Sequence, residues 1–153
     1  MMASPHALCG AVAGARSGSV AVAAALGFAL HLLVDCVPSW EPWFINPAQS
    51  AVVLGDSLLA LVLVTVACRR AEGAVRLRIA VGAAFGVLPD LLHLALVIGI
   101  RWKWLAAFEV VHQGVQRPAP PELSMALQAV VVLAGWMLLR REARRKIATE
   151  AAA

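Results

Sequence analysis

Charge is scarce in this sequence. Only 14% of its 153 residues are charged, against about 25% in an ordinary soluble domain. With 61% of residues hydrophobic, that scarcity excludes a typical water-soluble fold. Cys9, Cys36 and Cys68 have no paired spacing. Neither a disulfide framework nor a cysteine-type zinc site is therefore indicated. No low-complexity linker and no shift of composition divides the chain, so one domain is expected. Aspartate is rare too: Asp35, Asp56 and Asp90 are the whole set.

What is present in quantity is apolar sequence in long blocks, the pattern of membrane-spanning helices. Four blocks stand out, at about 19–38, 51–68, 79–100 and 124–139. The fold class expected is all-α: a polytopic membrane protein with four transmembrane helices in a bundle. The four-helix domain covers residues 19–146. Residues 1–18, small and polar, read as a loosely ordered segment with His6 a solvated histidine. Residues 147–153 read as a C-terminal tail. The first block is too long for a signal peptide and carries His31 and Asp35.

The basic residues are placed asymmetrically. Arg16, Arg69, Arg70, Arg76, Arg78, Arg140, Arg141, Arg144, Arg145 and Lys146 fall on one side of the expected spans, and Arg101, Lys103 and Arg117 on the other. The positive-inside rule then puts both termini in the cytoplasm. Trp40, Trp43, Trp102 and Trp104 all follow outward-going spans, where an amphipathic ring prefers the membrane interface. "RREARRK" and "RWKW" thus read as a topology anchor and an interface belt. The partner expected is the lipid bilayer, and no nucleic acid.

All three aspartates and two of the four histidines, His31 and His93, fall inside the expected spans, whereas the six glutamates lie in loops or tails. Each charged group costs about 2.5–3.5 kcal/mol at the bilayer centre, so such residues mark functional sites facing the bundle interior. His31 and Asp35 are four apart, and Asp90 and His93 three apart, so each pair shares a helix face. At 1.5 Å per residue, the five groups lie within roughly 8 Å of one depth. Small residues precede them at a four-residue step: Ala23 and Gly27 before His31, and Gly82 and Gly86 before Asp90. That step predicts a close crossing of the first and third spans. Pro89 removes a backbone donor and predicts a kink, with Asp90 opening the outer half of its helix.

Two histidines and three aspartates are hard-to-borderline ligands suited to a divalent metal, Zn first, with Mn or Fe as alternatives. A spare carboxylate would act as general base. Asp56 enters the same depth from the outer side and reads as a catalytic or orienting carboxylate. Glu109, a candidate catalytic carboxylate, and His112, in "FEVVHQGVQ", share a face if that loop is helical. Either they sit on an exposed interfacial helix, or the loop dips back and His112 reaches the cluster.

"HLLVDCVPSWE" (31–41), "GVLPDLLH" (86–93) and "VVHQGVQRP" (110–118) resemble the family of membrane-bound metal-dependent hydrolases. That family is akin to the LexA-binding, inner-membrane-associated hydrolases. The resemblance implies a multi-pass inner-membrane protein with His31, Asp35, Asp90 and His93 as metal ligands and His112 as a further candidate. It implies hydrolysis of an ester or phosphoester, lipid-linked, at the outer face. The chain departs from the pattern at Ser39, where a histidine is expected, and at Gln113, where a serine is. Other functions use the same residues. One is transport or proton relay, for which four spans would be few unless the chain forms a homo-oligomer. Others are a metal-binding but inactive bundle, and a structural bundle joined by Asp–His hydrogen bonds.

Overall fold

A computed structural model describes residues 1–40 and 46–151, with side chains up to residue 142. Six helices follow one another: α1 (Ala3–Arg16), α2 (Val20–Asp35), α3 (Pro47–Arg70), α4 (Gly73–Val97), α5 (Lys103–Val115) and α6 (Pro121–Ala151). The described residues hold no strand, only an isolated bridge between Ser39 and Pro118. Trp43 lies outside the described residues.

Helix starts follow local chemistry. Ser19 accepts the backbone N–H of Val22 at the head of α2. Asn46 accepts that of Gln49 at the head of α3, whose first residue is Pro47. These side chains satisfy donors that a helix N-terminus leaves free. Gly99, at φ +100°, takes a conformation few other residues adopt. It reverses the chain after α4, so that α5 folds back toward the bundle.

Three helices are long and apolar enough to cross a membrane: Pro47–Arg70, Gly73–Val97 and Pro121–Glu142. Large apolar side chains such as Leu54, Leu58, Leu61, Leu91 and Leu133 are exposed on them. An apolar exterior of this extent marks a membrane protein. The expected first span is shorter than the sequence suggests. Its helix is 16 residues long, about 24 Å. It stops at Asp35, where Cys36 and Val37 close the last turn back onto Leu33 and Val34.

The N-terminal segment departs most from expectation. Residues 1–18 are not loose: Ala3–Arg16 is a helix with most of its residues buried, His6 included. It lies among α2, α3, α4 and α6. Leu8, Ala11 and Val12 form the apolar core with Ala67, Ile79, Ala83 and Leu139. α1 also runs parallel to α6. Met2 reaches Gln128 at one end, and Arg16 pairs with Glu142 at the other. Residue 1 and residue 142 therefore lie at opposite ends of the bundle, and the expected placement of both termini on one side is not confirmed. The expected tail is helix as far as Ala151, continuous with a fourth apolar block longer than 124–139.

Small residues set how closely the inner helices approach. A Cβ on Gly10 would overlap the carbonyl oxygen of Gly82, and a Cβ on Gly27 would overlap the same atom. The α2–α4 crossing expected from Gly27, Gly82 and Gly86 is present, and α1 joins it through Gly10 and Gly14. Gly82→Ala should therefore lower stability by about 1–3 kcal/mol, since backbone rather than a movable side chain must yield. Thermal unfolding in detergent would measure this. An unchanged midpoint would mean the helices are not in backbone contact.

Candidate metal centre

His31 and Asp35 leave the last turns of α2 on one face, and both are fully buried. His31 Nδ1 is 2.7 Å from the Gly86 carbonyl oxygen. That oxygen can only accept, so Nδ1 carries the proton, and a neutral His31 presents a lone pair at Nε2. The Nε2 atom faces His112 Nε2 at 3.0 Å, Asp35 Oδ2 at 3.1 Å and Asp90 Oδ1 at 3.5 Å. His112 Nε2 is also 3.1 Å from Asp35 Oδ2 and 3.8 Å from Asp90 Oδ1.

Three acceptors (His31 Nε2, Asp35 Oδ2 and Asp90 Oδ1) thus converge on one imidazole nitrogen that can offer a single proton. The arrangement is short of positive charge at its centre. A tetrahedral zinc with ligand bonds near 2.0–2.2 Å sets its ligand atoms about 3.3–3.5 Å apart. The triangle of His31, Asp35 and His112 has sides of 3.0, 3.1 and 3.1 Å. Expanding it by a few tenths of an ångström would admit the ion. Asp90 stands at the fourth corner, farther out, with 29% of its side chain exposed.

α5 brings His112 into this group. Leu105, Phe108, Glu109 and His112 recur at helical spacing and turn inward, so the dipping alternative is the one observed. Phe108 stacks on the His112 ring and meets Phe28 of α2. His112, on this helix outside the long spans, is raised above the ordinary histidine pKa. Burial opposes its charge, but the hydrogen bond to Asp35 and the charges of Asp35, Asp90 and Glu109 outweigh that.

Three expected site residues stand outside that triangle, and two of them, His93 and Glu109, form with His112 a second group whose ligand atoms lie within 4.8 Å of one another. His93 is not with the buried triangle: its Nδ1 lies 2.5 Å from Glu109 Oε1. Three residues along a helix turn the side chain about 60° from Asp90, toward α5. Glu109 is not over the open side of the centre. It lies behind His112, with Oε2 3.6 Å from Nδ1. Asp56 takes no part in the cluster. Its carboxylate holds the head of α1, accepting the Ser4 backbone N–H at 2.9 Å and the Ser4 hydroxyl. α4 is helical throughout Gly73–Val97, with Pro89 inside it.

One residue was passed over. His6 stacks on His31 with ring centroids 3.8 Å apart, and its Nε2 lies 3.1 Å from Asp35 Oδ1. The Met1 nitrogen donates to the same oxygen at 3.0 Å. The signal was in the sequence: His6, Gly10 and Gly14 form the same four-residue row of one polar and two small residues seen at Ala23–Gly27–His31 and Gly82–Gly86–Asp90.

The placement of Glu109 carries a prediction. A carboxylate beside the distal nitrogen of a metal-binding histidine fixes its tautomer and raises its basicity, and its loss typically weakens metal binding about 10–100-fold. Glu109→Ala should show that loss in a competition titration with a chromophoric chelator. Unchanged affinity would sink this role.

Compared with family models, curated proteins and solved structures, the chain matches none.

Proposed function

We propose that this chain is a multi-pass inner-membrane, metal-dependent hydrolase acting on an ester or phosphoester near the outer face. The observation that carries the reading is the convergence of the buried His31 Nε2, His112 Nε2 and Asp35 Oδ2, 3.0–3.1 Å from one another. His31, Asp35 and His112 are the proposed ligands, with Asp90 on the open side. A divalent ion bound there would polarise the scissile carbonyl or phosphoryl group and acidify a water in the open position. Zinc suits the nitrogen and oxygen donors, and Mn or Fe would also be accepted.

The chain's own residues have separate tasks. Asp90 takes the proton of the attacking water at Oδ1, as the exposed carboxylate nearest the triangle. Gly86 holds the His31 tautomer through its carbonyl oxygen. Glu109, steadied by His93, does the same for His112. Asp35 Oδ1, engaged by His6 and the Met1 nitrogen, leaves Oδ2 as the donor toward the metal.

Orientation follows from charge. Arg16, Arg69, Arg70, Arg76, Arg78, Arg140 and Arg141 gather at the end of the bundle away from the centre. We assign that end to the cytoplasm. α2 would then be the fourth crossing, its shortness met by local thinning or by flanking residues. α1 fills the interior beside it, with its N-terminus near the outer side.

The test is hydrolysis by detergent-purified protein loaded with Zn, Mn or Fe, screened against acyl ester and phosphoester substrates. Turnover should disappear on chelation. It should also disappear in Asp90→Asn, which is expected to keep the metal. Turnover that survives chelation would contradict the proposal.

A further inference from the structure

The centre has only one exposed border among the described residues. His6, His31, Asp35 and His112 are sealed, at 0–1% exposure. Asp90, His93 and Glu109 keep 29%, 20% and 19% of their side chains exposed. All three lie where α4 meets α5. Among the described residues, the end of the bundle beyond the centre is covered by α5 and by the segments that follow α2 and α5. α5 lies across it, with Leu105 fully buried and Phe108 against His112. The segment after α2 is also tied to the segment after α5. Ser39 N–H donates to the Arg117 carbonyl oxygen at 2.8 Å, and Ala119 N–H donates to that of Ser39 at 3.1 Å. Trp40 N–H is held by Ser124 Oγ.

The exposed border therefore opens sideways. It continues into the apolar outer surface of the protein: Leu91, Leu94 and Val97 on α4 and Val110 on α5 are all exposed beside it. Asp90 is seven residues before the end of α4, about 10 Å along the axis. Since α4 is 25 residues long, about 37 Å, that depth falls about 7 Å inside a hydrocarbon core of about 30 Å when the helix is centred on it. A lipid's ester bonds lie little more than one helical turn farther out.

We propose that the centre is reached from within the bilayer, between α4 and α5, and that its substrate is a membrane-resident lipid or lipid-linked ester or phosphoester rather than a water-soluble one. The chemistry at the centre rests on the metal-centre reading, but the route does not. Polar groups of the substrate would meet Asp90, with the apolar chains against Leu94, Val97 and Val110.

The test uses two carboxyl reagents on the full chain in phosphatidylethanolamine/phosphatidylglycerol vesicles at mildly acidic pH. An apolar carbodiimide partitions into the bilayer, and a water-soluble carbodiimide does not. Either adds a carboxylic acid across its N=C bond, and the adduct rearranges to a stable N-acylurea readable by peptide mass spectrometry. The apolar reagent should label Asp90 or Glu109 at least tenfold more than the water-soluble one. Ala106→Trp, on the exposed face one turn before Glu109, should cut that labelling severalfold. Equal labelling by the water-soluble reagent, or none by either, would overturn the lateral route. Pre-incubation with Zn²⁺ separates the two readings. Protein that keeps the apolar labelling but retains no Zn²⁺ by elemental mass spectrometry would overturn the metal centre and leave the route standing.

Discussion

Asp35→Ala is expected to lower stability by about 3–5 kcal/mol and to abolish metal binding. Asp35 is fully buried, and its two oxygens serve three partners. Oδ1 takes the Met1 nitrogen and His6, and Oδ2 takes His112 and faces the lone pair of His31 Nε2. Without the carboxylate, the Met1 nitrogen loses its buried counter-charge, and His6 and His112 lose their shared partner, in a place water does not reach. Removing one partner of a buried charge pair is costly for that reason. A loss this large consumes a big share of the about 5–15 kcal/mol that holds a typical domain together. Asp35→Asn separates the two effects: it keeps the volume and should fold better than the alanine variant, yet still fail to hold metal. Chemical unfolding in detergent would measure the first effect and metal content the second. A wild-type midpoint for Asp35→Ala would mean that Asp35 does not organise the centre.

Divalent metal should stabilise the wild-type protein strongly. At a thousandfold excess over its dissociation constant, an ion that binds only the folded state adds about 4 kcal/mol. For a chain of this size that is a rise of roughly 8–16 °C in Tm. The shift should reverse with chelator and vanish in His31→Ala/His112→Ala, which removes both imidazole corners of the triangle. An equal shift in that variant would place the ion elsewhere on the protein.

Periodicity made part of this centre legible in the sequence. His31 and Asp35 share a face because they are four apart, and Asp90 reaches them because Gly27, Gly82 and Gly86 let α2 and α4 touch. Depth alone was a weaker guide. Asp56 lies near the right level but faces the head of α1 instead of the histidines. His93 follows Asp90 by three residues and turns toward Glu109. Hydropathy misled most at the N-terminus. "ASPHALCGAVAGAR" is too short and too rich in small residues to read as a span. Yet those same small residues let α1 enter the middle of the bundle and bring His6 to Asp35. The dip of α5 depends on a reversal at Gly99 and on tertiary packing of Phe108, neither of which a local pattern specifies.

Elemental mass spectrometry on detergent-purified protein tests the metal centre most directly, with wild type beside His31→Ala/His112→Ala and His93→Ala. Wild type should carry about one Zn, Mn or Fe per chain, as a single site of three protein ligands requires. The double variant should carry none, and His93→Ala should keep its metal because His93 stands outside the triangle. No metal in wild type after reconstitution, or full metal in the double variant, would contradict the account.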